Sequence, residues 1–469
     1  MGQSILDGNL PYVSAWDIKP PLAYYVYAFF IALLGKSILS IRVGGLLCIY
    51  SASIVLYQTG KAIRGRTAGM VTALLLIVST SSGPSGLSTM TEHILLVPLS
   101  LILYLLLRTD IDRKIVFITG VILGISILVK TNIIFESMAI FLLLAAGFLP
   151  AGDRPERLKK SAILLTGICL PVLIMVCYYV ANNKLDLLLK TNVTVLFHYI
   201  GSEARLPKKL GMLFHNIGDN IRLNLLLWAT FFFGTLYLVL LKRDAGKFLP
   251  IIIAILVAQI LSLFISGQPF GYHYLITSMP LLCLVSGLAL SYWFLEMKTG
   301  RQINYFITTM LLVAALFYSL QGNVVKHYRV IFSHLIQKQP LFDDSCYKIA
   351  DYLKRDGIES DFIYMVNSCQ IVYWLTGSRY PTKYIHPSNL LIKEYMLRIV
   401  DGPDATKEKE LRAIFDKHPL FIIHRADLWP EQPVEFKTML DNELRAHYEH
   451  VKSIDTFQIY KRRVSPLAL

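Results

Sequence analysis

Charge is scarce in this chain, and what there is leans one way. Asp, Glu, Lys and Arg make up 17% of the 469 residues, and 46 Lys and Arg stand against 32 Asp and Glu. So few charges cannot cover a soluble protein of this size. With 54% hydrophobic residues and a mean hydropathy of +0.52, the composition is that of a polytopic membrane protein. The opening residues do not read as a secretory leader, because no basic segment precedes them and Asp7, Asp17 and Lys19 interrupt any apolar run. There is no CxxC or HExxH motif, which argues against a structural metal site and leaves a divalent-metal requirement open, and there is no internal repeat or low-complexity segment. Cysteine is sparse. Cys48, Cys169, Cys177 and Cys283 fall in apolar segments and read as small core residues, whereas Cys346 and Cys369 lie in the polar tail, where spacing leaves a disulfide open. The net charge of +14 does not point to nucleic acid, because the cations sit in short clusters between apolar runs, as cytoplasmic loops do.

Those apolar runs dominate. They fall at roughly 41–59, 67–82, 93–107, 115–129, 131–149, 161–181, 223–241, 248–266, 273–295 and 303–320, about ten in all. Clusters at Lys61/Arg64/Arg66, Arg108/Arg113/Lys114, Arg154/Arg157/Lys159/Lys160, Lys242/Arg243/Lys247 and Lys298/Arg301 occupy alternate loops. If all are cytoplasmic, the alternation closes without conflict. The opening loop, the 82–92 loop, the long 182–222 loop, the 267–272 turn and the tail then share the outer face. Lys130 stands at an outer tip between two short helices. The cations of 182–222 are expected to snorkel at the headgroups or meet an anionic lipid.

The stretch from Ile5 to Tyr27 organises the rest. Pro11 and the Pro20-Pro21 pair make it a shaped loop. Leu22–Leu34 is short for a span and is expected to be an interfacial helix. Beyond residue 321 the long apolar runs stop. Tyr347–Arg355 and Lys407–Phe415 read as helices, and Asp361–Val366, Leu420–His424 and Phe457–Tyr460 as strands, which together argue a small α/β domain. The expected fold is therefore an α-helical polytopic membrane protein, with about ten spans plus the interfacial helix. Residues 1–321 form the membrane part, including an outer loop and juxtamembrane helix over 1–40 and the 182–222 outer loop. Residues 322–469 form a soluble extracytoplasmic domain.

Four outer elements bring polar groups to one depth. The opening loop carries Asp17 and Lys19, the third span opens with Glu92, the short helix pair presents Lys130, and the ninth span opens with His273 and Tyr274. Ionisable groups at a membrane edge are costly and mark functional sites. Taken singly, helix-end stabilisation explains Glu92, and the interfacial aromatic belt explains His273 and Tyr274. Taken together, they suit an anionic, membrane-borne substrate. Lysine holds a lipid phosphate by point charge, and a carboxylate accepts a proton from an attacking hydroxyl. The same set would also serve an ion-coupled transporter.

The segments LDGNLPYVSAWDIKPPLAYY, STMTEH, GVILGISILVKTN and FGYHYLITSMPLL resemble the C-type glycosyltransferases of the protein-O-mannosyltransferase and aminoarabinose lipid A transferase superfamily. The first match is fairly specific and the others are weaker; together they cover roughly residues 1–320. The resemblance implies a polyprenyl- or dolichyl-phosphate sugar donor, an acceptor on the outer face and inversion at the sugar carbon, with no cofactor assigned. It implies donor-phosphate contact for Lys19, acidic roles for Glu92 and Asp17, and a cavity lined by His273, Tyr274 and Lys130. Arg205 and Lys208 are added as further phosphate contacts. Family members carry an earlier transmembrane helix and an acidic pair that supplies the base, and this chain starts at Met1 beyond that point. The expected function is thus a transferase of the inner or plasma membrane, moving a sugar from a lipid phosphate to an extracytoplasmic glycan, lipid or protein. The rivals are a transporter or lipid flippase, and a non-catalytic scaffold of the same fold.

Overall fold

The computed structural model describes residues 1–82, 88–108, 110–150, 152–201, 206–241, 243–265, 272–297, 310, 313, 314, 316–318, 323–340, 343–358, 361–426 and 434–463. Helix α1 (Gly2–Leu6) leads into the proline-stiffened loop, and α2 follows at Pro21–Leu34. Pro21 starts α2 rather than breaking it, since a first-turn residue needs no N–H partner. Next come α3 (Ile38–Arg64), α4 (Arg66–Ser82), α5 (Thr91–Leu106), α6 (Arg113–Val129), α7 (Ile133–Ala146) and α8 (Arg154–Ala181). Local chemistry sets several of these ends. Ser37, Asp112 and Asp153 each accept a backbone N–H at a helix start, and Gly65 and Gly147, at φ 89° and 86°, close α3 and α7 in a conformation that costs glycine little.

Helices α6 and α8 pack backbone to backbone. A Cβ on Gly120 or Gly124 would run into the carbonyls of Leu164 or Ile168, and one on Gly167 into that of Phe117. Small residues let apolar helices approach where lipid supplies no hydrophobic drive.

The stretch 182–222 is not an irregular loop. It forms α9 (Leu185–Leu189), a π-turn over Lys190–Thr194, α10 (Val195–Gly201) and the amphipathic α11 (Leu206–Leu223). The lysines that read as loop charge are compatible with helix, and apolar residues recur at helical spacing along α11. Helix α12 (Leu225–Leu240) then departs at 100° from α11. Helices α13 (Leu249–Ile265) and α14 (Met279–Met297) complete the described bundle, α14 being preceded by a 3₁₀ stretch over Tyr272–Ser278. The tenth apolar run, 303–320, lies largely outside the described residues.

Among the described residues four helices are long and apolar enough to cross a membrane, or five if the α11–α12 pair counts as one span. Others are short: α5 has 16 residues and α7 has 14. At 1.5 Å per residue these reach less than a hydrocarbon core about 30 Å thick. Within the span segment His273–Trp293, 94% of an 18-residue apolar stretch is buried inside the protein, so it is the axis around which the others pack.

In the tail, α15 (Asn323–Gln337) precedes α16 (Ser345–Arg355), β1 (Ile363–Met365), α17 (Ile371–Thr376), α18 (Pro387–Leu391), α19 (Glu394–Asp401), α20 (Lys407–Asp416), β2 (Phe421–Arg425), α21 (Val434–His447), β3 (Tyr448–Ile454) and β4 (Phe457–Arg462). The sheet order is β1-β2-β4-β3, parallel between β1 and β2 and antiparallel elsewhere, with Ile363 opposite Phe421 and Ile423 opposite Ile459. The sequence reading lacked α15, α17, α18, α19, α21 and β3. Ile349, Leu353, Ile363, Phe421, Ile423 and Ile459 form the tail's own core. Cys346 and Cys369 are bonded, closing a loop of 23 residues.

A further core joins the two parts of the chain. Tyr12, Trp16 and Tyr24 of the opening stretch and Tyr179 of α8 are packed with Tyr384, Leu390 and Leu397 of the tail. The Trp16 backbone N–H donates to the Lys383 carbonyl at 2.8 Å, and its indole lies 5.4 Å from the Tyr384 ring. In packing, the tail is not a separate appendage.

Candidate functional site

A cavity of about 1040 Å³ opens where the opening loop, the helix ends and the tail meet. Its floor comes from alternate helix ends: the start of α5 at Thr91 and Glu92, the end of α6 at Lys130, the start of α7 at Thr131 and Asn132, and His273 and Tyr274 before α14. Basic residues among the described ones gather at the other ends of these helices, with Arg108 after α5, Arg113 and Lys114 at the start of α6, and Arg154 and Arg157 beyond α7. There Arg113 pairs with Glu156 at 2.7 Å, Lys160 donates to the Ile111 carbonyl, and the Arg64 guanidinium stacks 3.8 Å from the Tyr292 ring.

Glu92 is 2% exposed and fully engaged. The Lys130 ammonium donates to its Oε1 at 2.6 Å and the Thr91 hydroxyl to its Oε2 at 3.0 Å. Lys130 also lies 4.3 Å from the centroid of the Tyr274 ring, which in turn sits 4.3 Å from that of His273. Lys130 therefore has a carboxylate on one side and an aromatic face on another, a cation held in place rather than a solvated one.

Lys19 pairs with Asp17 at 3.1 Å, its side chain still half exposed to the cavity. Asp17 also accepts the Ile18 N–H at 2.8 Å and an Asn389 amide N–H from the tail at 3.4 Å. Burial by itself would raise the Asp17 pKa, but the Lys19 ammonium, the His386 ring and the Ile18 N–H outweigh it and hold the carboxyl at about 2. The same pairing raises the Lys19 pKa. His386 is pushed down by burial, which outweighs the pull of Asp17. The loop backbone that carries this pair is fixed by Tyr12, whose hydroxyl donates to the Lys19 carbonyl at 2.6 Å, and by Trp16, whose indole N–H donates to Thr191 at 3.1 Å.

Of the residues singled out from the sequence, Asp17, Lys19, Glu92, Lys130, His273 and Tyr274 all line this one cavity. Lys208 does not; it is exposed on α11. Arg205 lies outside the described residues. Asn192, which begins an acceptor-like Asn-Val-Thr triplet, is half-buried, and its amide donates to the Leu188 carbonyl and the Tyr12 hydroxyl, so it is committed to packing.

Sequence reasoning missed the rest of the lining. Asp7 and Lys36 belong to the membrane part, and Gln370, Trp374, Ser378, Tyr380, His386, Asn389 and Lys393 come from the tail. Lys36, just beyond the glycine that ends α2, carried a readable signal as a cation at a helix end. The tail residues carried none, because only the fold-back brings them there. Among the described residues no group of three or more His, Cys, Asp or Glu is gathered as a metal ion would require.

The description dolichyl-phosphate-mannose-protein mannosyltransferase belongs to the family that matches residues 18–180. No curated protein sequence matches the chain. Among solved structures, ArnT from Cupriavidus metallidurans bound to undecaprenyl phosphate aligns with a TM-score of 0.65 at 12% identity, over 98% of this chain and 91% of that one. The same protein in its apo state aligns at 0.63, with the same identity and coverage. The oligosaccharyltransferase AglB from Archaeoglobus fulgidus reaches 0.45 at 12% identity, over 98% of this chain and 68% of its own. The likeness of this membrane protein to the C-type glycosyltransferases of the protein-O-mannosyltransferase and aminoarabinose lipid A transferase superfamily is therefore one of sequence over residues 18–180 and of fold over nearly the whole chain.

Proposed function

We propose that the chain is a membrane glycosyltransferase that moves a sugar from a polyprenyl- or dolichyl-phosphate donor to an acceptor on the extracytoplasmic face, with inversion at the sugar carbon. The observation that carries the reading is the gathering of Lys19, the Glu92–Lys130 pair, His273 and Tyr274 around one cavity at the helix ends remote from the basic clusters. Cations concentrate on cytoplasmic loops, so the cavity belongs on the outer side. The Cys346–Cys369 bond supports the same side for the tail, since disulfides persist in oxidising compartments.

In the proposed reaction an acceptor hydroxyl attacks the anomeric carbon, its proton passes to a carboxylate, and the bond from that carbon to the phosphate oxygen breaks. Lys19 and Lys36 stabilise the departing lipid phosphate. Asp17 and Glu92 are the carboxylates the sequence singled out for acid–base work, yet both are committed to lysines. At a pKa of about 2, Asp17 is poorly matched to take a proton at neutral pH. Their roles in this proposal are to orient Lys19 and Lys130. Among the described cavity carboxylates, Asp7 is the one with no side-chain cation at ion-pair distance; it accepts the Gln3 amide N–H at 3.0 Å. Proton acceptance is assigned to Asp7.

The transport alternative calls for broken helices paired between two halves of the chain. Only the α11–α12 pair is bent in this way among the described residues. The deciding experiment reconstitutes the protein with a labelled polyprenyl-phosphate sugar and follows release of the lipid phosphate. Sugar transfer that depends on Lys19 supports the enzyme; turnover unchanged in Lys19→Ala removes that residue from the mechanism.

A further inference from the structure

The two walls of the cavity differ in chemistry. The membrane wall is charged, with Asp7, Asp17, Lys19, Lys36, Glu92 and Lys130. The tail wall carries no carboxylate among the described lining residues. Its aromatic rings and amides, Trp374, Tyr380, Gln370 and Asn389, stand with one cation among the described lining residues, Lys393, and with the ring of His386.

That wall is held stiffly. Cys369, bonded to Cys346 of α16, immediately precedes Gln370. Tyr373 is anchored where its hydroxyl accepts the Met365 N–H at 2.9 Å, and it supports Tyr380 edge-on with centroids 5.8 Å apart. Asn389 is tied to Asp17 across the seam. Two donors on the wall, Gln370 Nε2 and Trp374 Nε1, have no acceptor among the described residues and are shut off from solvent. Rotation of either side chain toward a ligand oxygen in the cavity would relieve that.

We infer that the tail wall is the acceptor subsite and that the acceptor it takes is a carbohydrate. A pyranose offers an apolar C–H face to a fixed aromatic ring, and ring hydroxyls to amide and indole N–H donors. A peptide acceptor would be expected to use main-chain pairing at the sheet edge. The outer side of β1 is already engaged there, since the Ile363 N–H donates to the Arg379 carbonyl and Phe362 bridges to Arg379. The inference rests on the glycosyltransferase reading, and it adds the acceptor's class to it.

The test uses the full chain in lipid nanodiscs and measures binding by isothermal titration calorimetry, a readout that does not depend on Trp374 itself. The probes are α-1,6-mannotetraose, chitotetraose and maltotetraose, with a Ser/Thr-rich peptide of similar mass as comparison and undecaprenyl phosphate as a separate ligand. Saturable binding of at least one oligosaccharide is expected, weakened about tenfold or more by Trp374→Ala and by Tyr380→Ala. Trp374→Phe, which keeps a ring and loses the donor, weakens it less and guards against a folding defect in the alanine variant. No binding by any of the three sugars, equal binding by wild type and variants, or preferential binding of the peptide overturns the inference. Failure of undecaprenyl phosphate to bind, whatever the sugars do, counts against the donor reading and so separates the two.

Discussion

The ammonium of Lys130 lies 2.6 Å from the carboxylate of Glu92, 38 positions earlier in the chain, and joins the end of α6 to the start of α5 beneath the cavity. Both side chains are largely withdrawn from water, at 15% and 3% exposure. A buried pair is worth little against an apolar replacement, but loss of one member strands the other. Glu92→Gln or Lys130→Met alone is expected to cost about 3–5 kcal/mol, and the Glu92→Gln/Lys130→Met double variant distinctly less than the sum. Thermal unfolding in detergent measures this. Additive losses would mean that the two charges do not depend on each other.

Lys19 should behave differently. Its side chain is 49% exposed, so the pair with Asp17 contributes at most about 1 kcal/mol to folding. Lys19→Ala is expected to leave expression and melting temperature near wild type while abolishing transfer from a polyprenyl-phosphate sugar. Lys36→Ala should reduce transfer more mildly. A Lys19→Ala protein that unfolds early would recast the residue as structural.

The depressed pKa of Asp17 makes a prediction about acid. A carboxyl held lower in the folded than in the unfolded state adds stability that is fully present above its unfolded pKa, about 3.9. That stability is lost as pH falls toward the folded value of about 2. Between pH 4 and 2 the melting temperature of wild type should therefore fall more steeply than that of Asp17→Asn. At pH 6 to 8 the two slopes should coincide. Parallel curves throughout would show that Asp17 is not held low.

The Cys346–Cys369 bond closes 23 residues, and loop-closure entropy for a loop of this size corresponds to about 3 kcal/mol. The Cys346→Ser/Cys369→Ser variant should lose about that much from the tail's unfolding transition in denaturant. Since Gln370 and Trp374 follow directly, acceptor use should fall while binding of undecaprenyl phosphate persists. Loss of lipid binding as well would show that the tail supports the whole cavity.

Proposed transfer also makes the carboxylates distinguishable. Asp7→Asn should abolish turnover with stability kept, because that side chain is exposed at the end of α1 and its side-chain hydrogen bond is to Gln3, four residues back. Glu92→Gln should lower turnover and stability together. Turnover unaffected by Asp7→Asn would return the search for the base to Glu92 and Asp17.

Composition, charge clusters and the Asp-x-Lys-Pro-Pro pattern were enough to read a helical membrane protein, the starts and ends of most of its helices, and the six membrane-part residues that meet at the cavity. They were legible because helix periodicity, proline at a helix start and ionisable groups at apolar boundaries are local properties of the chain. The helical character of 182–222 was obscured by its lysines, which mark a loop and a helix surface equally well. What only the tertiary structure decided is which distant segments touch. Trp16, 1% exposed, could be seen to need burial, but not that Tyr384 would cover it. Cys346 could pair, but only the fold brings Cys369 to a Cα separation of 5.3 Å. The tail's half of the cavity lies more than two hundred residues from Lys130 in the chain, and contacts over such distances are set by how whole apolar faces pack, which no window of sequence contains.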